Sequence, residues 1–197
     1  MAARGQRDGG GSVIVIVAGV SGSGKSTVGE ELAGKLGWAF IDGDSLHPRE
    51  NIAKMSAGTP LTDADRMPWL DAIGGWLDAR LTAAEPGVLA CSALKRSYRD
   101  LLLVSRPAVS MAFLRICREI AAQRLAERHG HFFDPHLLAS QFADLEPPGP
   151  DEKAVWVVPV AGTPAEVAGD IVSRLSLPDP DLDLDPRPGP LSESGRT

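Results

Sequence analysis

Hydrophobic positions along the chain alternate between continuous apolar runs and helical periodicity. Residues 13–18 (VIVIVA) form a β-branched run, which is typical of a parallel strand buried on both faces. Val28, Leu32 and Leu36 then recur at helical spacing, and Gly37 ends the predicted helix. The opening of the chain is therefore predicted to be a buried strand followed by a helix that packs against it.

The same alternation continues towards the end of the chain. Further strands are predicted from short apolar runs at residues 38–41, 88–92, 111–116 and 154–158. A long helix is predicted over residues 62–84, with an apolar stripe of Trp69, Ile73, Trp76, Leu77 and Leu81. The last helix opens at residues 163–166 (TPAE), a capping box with proline at the first helical position. Strands that alternate with helices predict an α/β fold with a parallel sheet covered on both faces.

Both ends of the chain depart from this pattern. Residues 1–11 are rich in Gly and Arg, and residues 177–197 are rich in Pro and Asp with nothing to bury. Such compositions are typical of disordered segments, although a partner-binding role for the tail is an alternative. The sequence thus predicts one folded domain over residues 12–176.

Composition narrows the class of protein. The chain has 197 residues, is 43% hydrophobic and carries a net charge of −6. This acidic balance argues against a general nucleic-acid or anionic-membrane binder, so an anionic ligand needs local positive charge in its site. No apolar run reaches the ~20 residues of a membrane span, and the N-terminus lacks the apolar region of an export signal.

The two cysteines, Cys91 and Cys117, form no CxxC pair. Together with the missing export signal, this usage favours a cytoplasmic protein without a disulfide framework or thiolate metal cage. Cys91 lies late in a predicted strand, and we expect it to be a small buried residue rather than a nucleophile.

The strongest motif follows the first strand and reads GVSGSGKS, which matches G-x-x-x-x-G-K-[ST] between a strand and a helix. Its glycines let backbone N–H groups surround phosphate oxygens, and the following helix N-terminus adds its dipole. Lys25 is expected to reach the β- and γ-phosphates and to be catalytic, and the Ser26 hydroxyl to ligate Mg²⁺. The alternative is a plain Gly-rich turn. The loop residues assigned to nucleotide binding are Gly19, Val20, Ser21, Gly22, Ser23, Gly24, Lys25, Ser26 and Thr27.

A phosphate-binding loop does not reveal the fate of the phosphate, since motor ATPases, GTPase switches and small-molecule kinases share it. The chain has no Asn-Lys-x-Asp guanine reader, and no strand ends in apolar residues followed by Asp-Glu. Instead the second strand ends in Asp42 and Asp44, within FIDGDSLHPRE. These acids should reach the same sheet edge as the loop. We assign Asp44 as catalytic base and hydroxyl orienter and Asp42 to the Mg²⁺ side, with a capped turn as the alternative.

Four segments together resemble a bacterial-type gluconokinase, a small P-loop kinase related to shikimate kinase. They are GVSGSGKS, DGDSLHPRENIAKMSAGTPLTDADRMPWL, CSALKRSYRDLL and RLAERHGHFF, and the resemblance spans residues 13–175. The third segment departs from the family pattern by lacking a final basic residue, and the EPPGPDE stretch and both termini are further candidates for departure.

The resemblance implies a three-layer P-loop kinase fold with strand order 2-3-1-4-5 and a small lid at about residues 122–136. It implies transfer of the ATP γ-phosphoryl group, with Mg²⁺, to the 6-hydroxyl of D-gluconate, and a homodimer, since similar enzymes form one. The alternatives are shikimate kinase, a kinase for another small hydroxy acid, and a nucleotide-dependent switch without an acceptor.

A site for a sugar acid needs cations for its carboxylate and polar groups for its hydroxyls. Arg66 is the first choice, because a guanidinium can bind a carboxylate bidentately. The residues assigned to substrate binding are Asp44, His47, Arg66, Lys95 and Arg99. For each basic residue taken alone, a solvated surface charge is the competing interpretation.

The predicted lid carries two further arginines. In related kinases the lid arginines close over the triphosphate, so we assign Arg124 and Arg128 to the nucleotide and Arg128 also to catalysis. A solvated helix face is the alternative for this pair. His129 and His131 lack a third ligand and are not assigned to a metal. The resemblance places adenine near residues 162–164.

Overall fold

Strands and helices alternate along the chain as the sequence predicts, with small shifts in their boundaries. The computed structural model describes residues 14–127 and 135–175. The strands are β1 (Ile14–Ala18), β2 (Ala39–Asp42), β3 (Gly87–Cys91), β4 (Val109–Arg115) and β5 (Val155–Pro159). The helices are α1 (Lys25–Leu36), α2 (Arg49–Ser56), α3 (Asp63–Thr82), α4 (Arg96–Leu103), α5 (Arg118–Ala126), α6 (Pro135–Asp144) and α7 (Pro164–Leu175). The two terminal segments that we expect to be disordered, residues 1–11 and 177–197, lie outside the described residues.

Within the described residues the five strands form one parallel sheet in the order β2-β3-β1-β4-β5. Ile14 of β1 lies opposite Gly87 of β3 on one side and Val109 of β4 on the other. The predicted strand order is therefore confirmed. Because the strands are parallel, their carboxyl ends share one edge of the sheet, where the segments after β1, β2 and β3 meet.

Strand β1 is fully buried and supplies alternate residues to the two faces of the sheet. Ile14 and Ile16 pack into the core on the side of α3 and α4. Val15 and Val17 pack into the second core, on the side of α1 and α7. A strand covered on both faces needs a continuous apolar run, which is why VIVIVA lacks the polar alternation of a half-exposed strand.

Helix α7 begins with the predicted capping box, and α3 begins with a capping box that the sequence analysis does not predict. The Thr62 hydroxyl accepts from the Asp65 backbone N–H at 3.2 Å, and the Asp65 carboxylate accepts from the Thr62 backbone N–H at 3.0 Å. Thr163 and Glu166 repeat this arrangement at the start of α7. These caps pair N–H groups that the first helical turn leaves without an intrahelical partner.

In the described part of the chain, no helix is long and apolar enough to cross a bilayer.

Cys91 at the end of β3 is buried, with 1% of its surface exposed. Burial disfavours the thiolate and raises the pKa of its thiol to about 12. The sequence interpretation of Cys91 as a structural residue agrees with this environment, because a thiol that stays protonated is a poor nucleophile.

Candidate active site

The loop between β1 and α1 contains two positions, Gly22 and Gly24, that favour glycine over any residue with a side chain. Gly22 has a φ of +79°, and a Cβ built there would lie 2.5 Å from the Ala121 carbonyl oxygen of α5. Gly24, with a φ of +91°, is the N-cap of α1. Side chains are disfavoured at both positions, at Gly22 by its neighbour and by its backbone conformation, and at Gly24 by conformation alone. The Lys25 ammonium donates to the Val20 carbonyl oxygen at 3.1 Å, so its side chain folds back along the loop.

This loop lines a cavity of about 600 Å³. Arg124 of α5 contributes to its wall, and Gly162 and Pro164 after β5 contribute on the other side. The remaining lining residues are Ser21, Gly22, Ser23, Gly24, Lys25, Ser26, Thr27, Val28, Asp44, Leu125, Glu127, Val160 and Val167. A concave site with a phosphate-binding loop on one wall has the shape and chemistry of a nucleotide site.

Ser26 and Asp42 lie side by side next to this cavity. The Ser26 hydroxyl donates to Asp42 Oδ2 at 2.6 Å, and Asp42 Oδ1 accepts from the Asp44 backbone N–H at 3.0 Å. In the described residues no group of three or more His, Cys, Asp or Glu side chains could hold a metal ion. A hydroxyl and a carboxylate together do fit Mg²⁺ beside a triphosphate, since this ion is bound by few side chains and completes its shell with phosphate and water oxygens.

A second cavity, of about 680 Å³, adjoins the first. The two cavities share Ser21, Lys25, Asp44 and Leu125. Asp44 is exposed and stands at their boundary. The other residues around the second cavity are His47, Met55, Ser56, Ala57, Gly58, Pro60, Leu61, Arg66, Trp69, Ser92, Leu94, Leu137, Ser140 and Gln141. This boundary is where a group bound in one cavity can meet a group bound in the other.

His47 lies flat against Trp69 in the wall of the second cavity. Their ring centroids are 4.4 Å apart, and the ring planes differ by 11°. Trp69 is itself fixed by donating from its indole N–H to the Gly43 carbonyl oxygen at 2.7 Å. Burial lowers the pKa of His47 below its usual 6.5, with Asp44 opposing the shift and Arg66 adding to it. The ring therefore favours the neutral form and presents hydrogen-bonding nitrogens rather than a charge.

Arg66 of α3 also lines the second cavity, with 11% of its side chain exposed. Its Nη1 donates to Asp144 Oδ2 of α6 at 2.9 Å and to the Tyr98 hydroxyl at 3.3 Å. These bonds fix the plane of a largely buried guanidinium at the cavity wall. A fixed guanidinium is a suitable partner for a small carboxylate.

Two of the cations that the sequence analysis assigns to substrate binding, Lys95 and Arg99, line neither cavity. Lys95 donates to Asp63 at 2.6 Å and does not line either cavity. Arg99 is 1% exposed, and its guanidinium donates to both carboxylate oxygens of Glu152 at 2.6 and 2.9 Å. Its Nη1 also donates to the Leu94 carbonyl oxygen at 2.8 Å. The structure therefore places Arg99 in a buried ion pair outside the cavity, in contrast to the sequence expectation.

The predicted lid is described only in part. Helix α5, which contains the first part of this segment, ends at Ala126. Arg124 lies over the phosphate loop, since a Cβ built at Gly24 would be 3.9 Å from Arg124 Nη1. Arg128, His129 and His131 lie outside the described residues, and so does part of the 122–136 segment.

Several residues of the cavities carried no recognisable sequence signal. Gln141 and Asp144 of α6 contact Ser21 and Arg66, which lie 120 and 78 positions away in the chain. Neither residue belongs to a local motif. Contacts of this separation depend on how α6 packs against the sheet edge.

Known proteins are similar to this chain in both sequence and fold. A family model described as an AAA domain matches residues 14–148. The thermoresistant gluconokinase of Escherichia coli K12 is 46% identical over 147 residues, which are 75% of this chain and 84% of that protein. The gluconokinase of Gluconobacter oxydans 621H is 48% identical over 143 residues, 73% of this chain and 80% of that protein.

The crystal structure of a gluconokinase from Sinorhizobium meliloti 1021 superposes with a TM-score of 0.74 at 48% identity. The alignment covers 83% of this chain and 91% of that one. Relatives this similar over most of both chains share an evolutionary family and not only a fold. The chain belongs to the gluconokinase family, within the wider group of proteins that contain the AAA domain.

Proposed function

We propose that this protein is an ATP-dependent gluconokinase that phosphorylates the 6-hydroxyl of D-gluconate to give 6-phospho-D-gluconate. The observation that carries the proposal is the pair of adjoining cavities with Asp44 and Lys25 in the wall of both. One cavity contains the phosphate loop, and the other offers His47 and Arg66 to an acceptor. Two substrates bound side by side, with an acid and a cation between them, match the needs of phosphoryl transfer.

ATP is placed in the first cavity, with its phosphates on the loop and its adenine towards residues 162–164. Lys25 and the loop N–H groups bind the phosphate oxygens, and Arg124 adds charge from α5. Ser26 and Asp42 would hold the Mg²⁺ that accompanies ATP, whose charge would offset that of the phosphates. Catalysis of this type depends on positioning and charge neutralisation rather than on a covalent enzyme intermediate.

Asp44 has the role of base. Its carboxylate accepts the proton of the gluconate 6-hydroxyl as the oxygen attacks the γ-phosphorus. The bond between the γ-phosphorus and the bridging oxygen to the β-phosphate breaks, and ADP leaves. The backbone N–H of Asp44 donates to Asp42 at 3.0 Å, which fixes the start of a short 3-10 helix, Gly43–Leu46, that presents Asp44. The two acids of the DGD segment thus have separate jobs.

Acceptor binding is assigned to the second cavity. Arg66 binds the gluconate carboxylate, and neutral His47 offers hydrogen bonds to its hydroxyls. Lys95 lies outside the cavity wall, paired with Asp63 and 3.8 Å from Asp144, the carboxylate that also holds Arg66. We also propose a homodimer, which light scattering on the purified protein measures directly.

Other functions use the same fold. A shikimate kinase or a kinase for another hydroxy acid would share the phosphate loop and differ in the second cavity. A nucleotide-dependent switch would need no second cavity with a base and an arginine, which is the reason we do not favour it.

The test is ADP release from MgATP with D-gluconate, shikimate, glucose or no acceptor. We expect turnover with gluconate and none above background with the other three. Turnover with shikimate instead would overturn the acceptor assignment but keep the nucleotide site. Nucleotide binding without any acceptor-stimulated turnover would support the switch.

A further inference from the structure

Gln141 of α6 makes two hydrogen bonds to the phosphate loop, one through its amide oxygen and one through its amide nitrogen. Its Oε1 accepts from the Ser21 backbone N–H at 2.7 Å, and its Nε2 donates to the Ser21 hydroxyl at 2.9 Å. The two residues are 120 positions apart in the chain. Two hydrogen bonds from one planar amide fix both the distance and the orientation of the residue that they hold.

Ser21 lies in the phosphate loop at the boundary between the two cavities. It lines both cavities, whereas Gln141 lines only the second. The peptide N–H groups of such a loop bind phosphate oxygens, so the orientation of the Ser21 peptide influences where the phosphate chain lies. Gln141, the side chain that sets this orientation, lies in the wall of the second cavity, to which the acceptor is assigned.

The same helix contacts the acceptor site one turn further on. Asp144 accepts from Arg66 at 2.9 Å and lies 3.8 Å from Lys95. The neighbouring Ser140 hydroxyl donates back to Leu137 within α6 at 2.9 Å, so it does not share this role. Helix α6 therefore connects the phosphate loop, through Gln141, with the arginine assigned to the acceptor carboxylate.

We propose that Gln141 is a positioning residue for phosphoryl transfer. It holds the Ser21 peptide so that the γ-phosphate bound on the loop lines up with the hydroxyl of an acceptor bound beside α6. The inference rests on the proposed kinase function. Because the other loop amides and Lys25 still bind the phosphates, losing Gln141 lowers kcat more than it raises the KM values. A misplacement near 1 Å costs about a hundredfold in rate.

The experiment compares three variants in the full chain. We expect Gln141→Ala to reduce kcat with gluconate roughly ten- to hundredfold, with KM for ATP and for gluconate within about threefold of wild type. Ser21→Ala keeps the backbone bond to Gln141 and should lose about threefold at most. Gln141→Glu keeps an acceptor for the Ser21 N–H but adds a charge beside the phosphates, so it should keep the wild-type Tm and raise KM for ATP about tenfold.

Ser173→Ala is the matched control, because it removes one hydroxyl hydrogen bond, to Gly169 at 3.0 Å, on the distant helix α7. Its kcat should equal that of wild type. A Gln141→Ala protein with kcat within twofold of wild type would overturn the proposal. If Gln141→Ala fails to fold, Gln141→Met, which keeps the length of the side chain but neither hydrogen bond to Ser21, is measured in its place, and a kcat within twofold of wild type overturns the proposal.

A second readout separates this inference from the kinase function. Hydrogen exchange across residues 19–27 should be faster in Gln141→Ala than in wild type, since the Ser21 N–H loses its acceptor. A wild-type protein without gluconate turnover would refute the kinase function, while slow exchange that depends on Gln141 would still show the tether. Unchanged exchange in Gln141→Ala would refute the tether itself.

Discussion

Arg66 of α3, in the wall of the second cavity, forms an ion pair of 2.9 Å with Asp144 of α6. The pair neutralises the guanidinium and fixes its orientation before an acceptor arrives. The remaining donors of the guanidinium are the ones that a gluconate carboxylate would use, because Nη1 is engaged by Asp144 and Tyr98.

Arg66→Gln removes this charge and most of these donors. We expect KM for gluconate to rise roughly ten- to hundredfold, the range for hydrogen bonds to a charged group, with a small change in KM for ATP. Steady-state kinetics with each substrate varied in turn measures the split. Arg96→Gln is the control, since it breaks an exposed pair with Asp151 outside both cavities and should leave both KM values unchanged. Equal losses for ATP and gluconate would contradict the assignment of Arg66.

Asp44→Asn removes the proposed base and keeps the size of the side chain. Loss of a general base costs about 10²- to 10⁴-fold, so we expect kcat to fall by at least a hundredfold. Binding of an ATP analogue, followed by calorimetry, should stay within threefold of wild type. Asp71→Asn, on an exposed position of α3, controls for the loss of one negative charge. Near-normal turnover by Asp44→Asn would exclude the role as base.

Arg99→Met tests whether the buried pair with Glu152 is structural. The variant leaves the Glu152 carboxylate, 4% exposed, without its cation, and such a loss costs about 3–5 kcal/mol of unfolding free energy. Urea denaturation should show this loss and a smaller one for Arg99→Met/Glu152→Gln, in which no charge remains buried. A stable single variant with a strongly raised KM for gluconate would return Arg99 to the acceptor site.

His47 gives the stability a pH dependence. Its pKa in the folded protein is lowered from 6.5, mainly by burial, so the unfolded chain binds the proton more tightly. Stability therefore rises with pH between the lowered pKa and 6.5, and this contribution is fully present above 6.5. Urea denaturation at pH 5.5 and 7.5 should show a smaller difference for His47→Gln than for wild type. An identical difference in both proteins would contradict the predicted shift.

The architecture could be predicted from the sequence because its signals are local. Structure within a few positions is determined by the run of residues 13–18, by the GVSGSGKS loop and by the capping residue Thr163. The strand order came from resemblance to a family rather than from periodicity, and the structure has the same order.

The sequence could not show in the same way which charged residues line a cavity and which form ion pairs elsewhere. Arg66 and Arg99 are the same residue type, and each lies in the first turn of its helix, yet one lines a cavity and the other is buried against Glu152, 53 positions away. Only the packing of the chain after α6 decides this difference. Gln141 has no motif for the same reason, since its role exists only once α6 lies against the loop.

The edge position of β2 has a consequence for how the site loses its integrity. In the described residues β2 is hydrogen-bonded to β3 alone, whereas β1 is paired on both sides. Local opening requires less free energy at an edge strand than at the centre of a sheet. Under mild denaturation the segment with Asp42 and Asp44 would open before the central strand β1 and the phosphate loop that follows it, so turnover would fall before the loop itself unfolds.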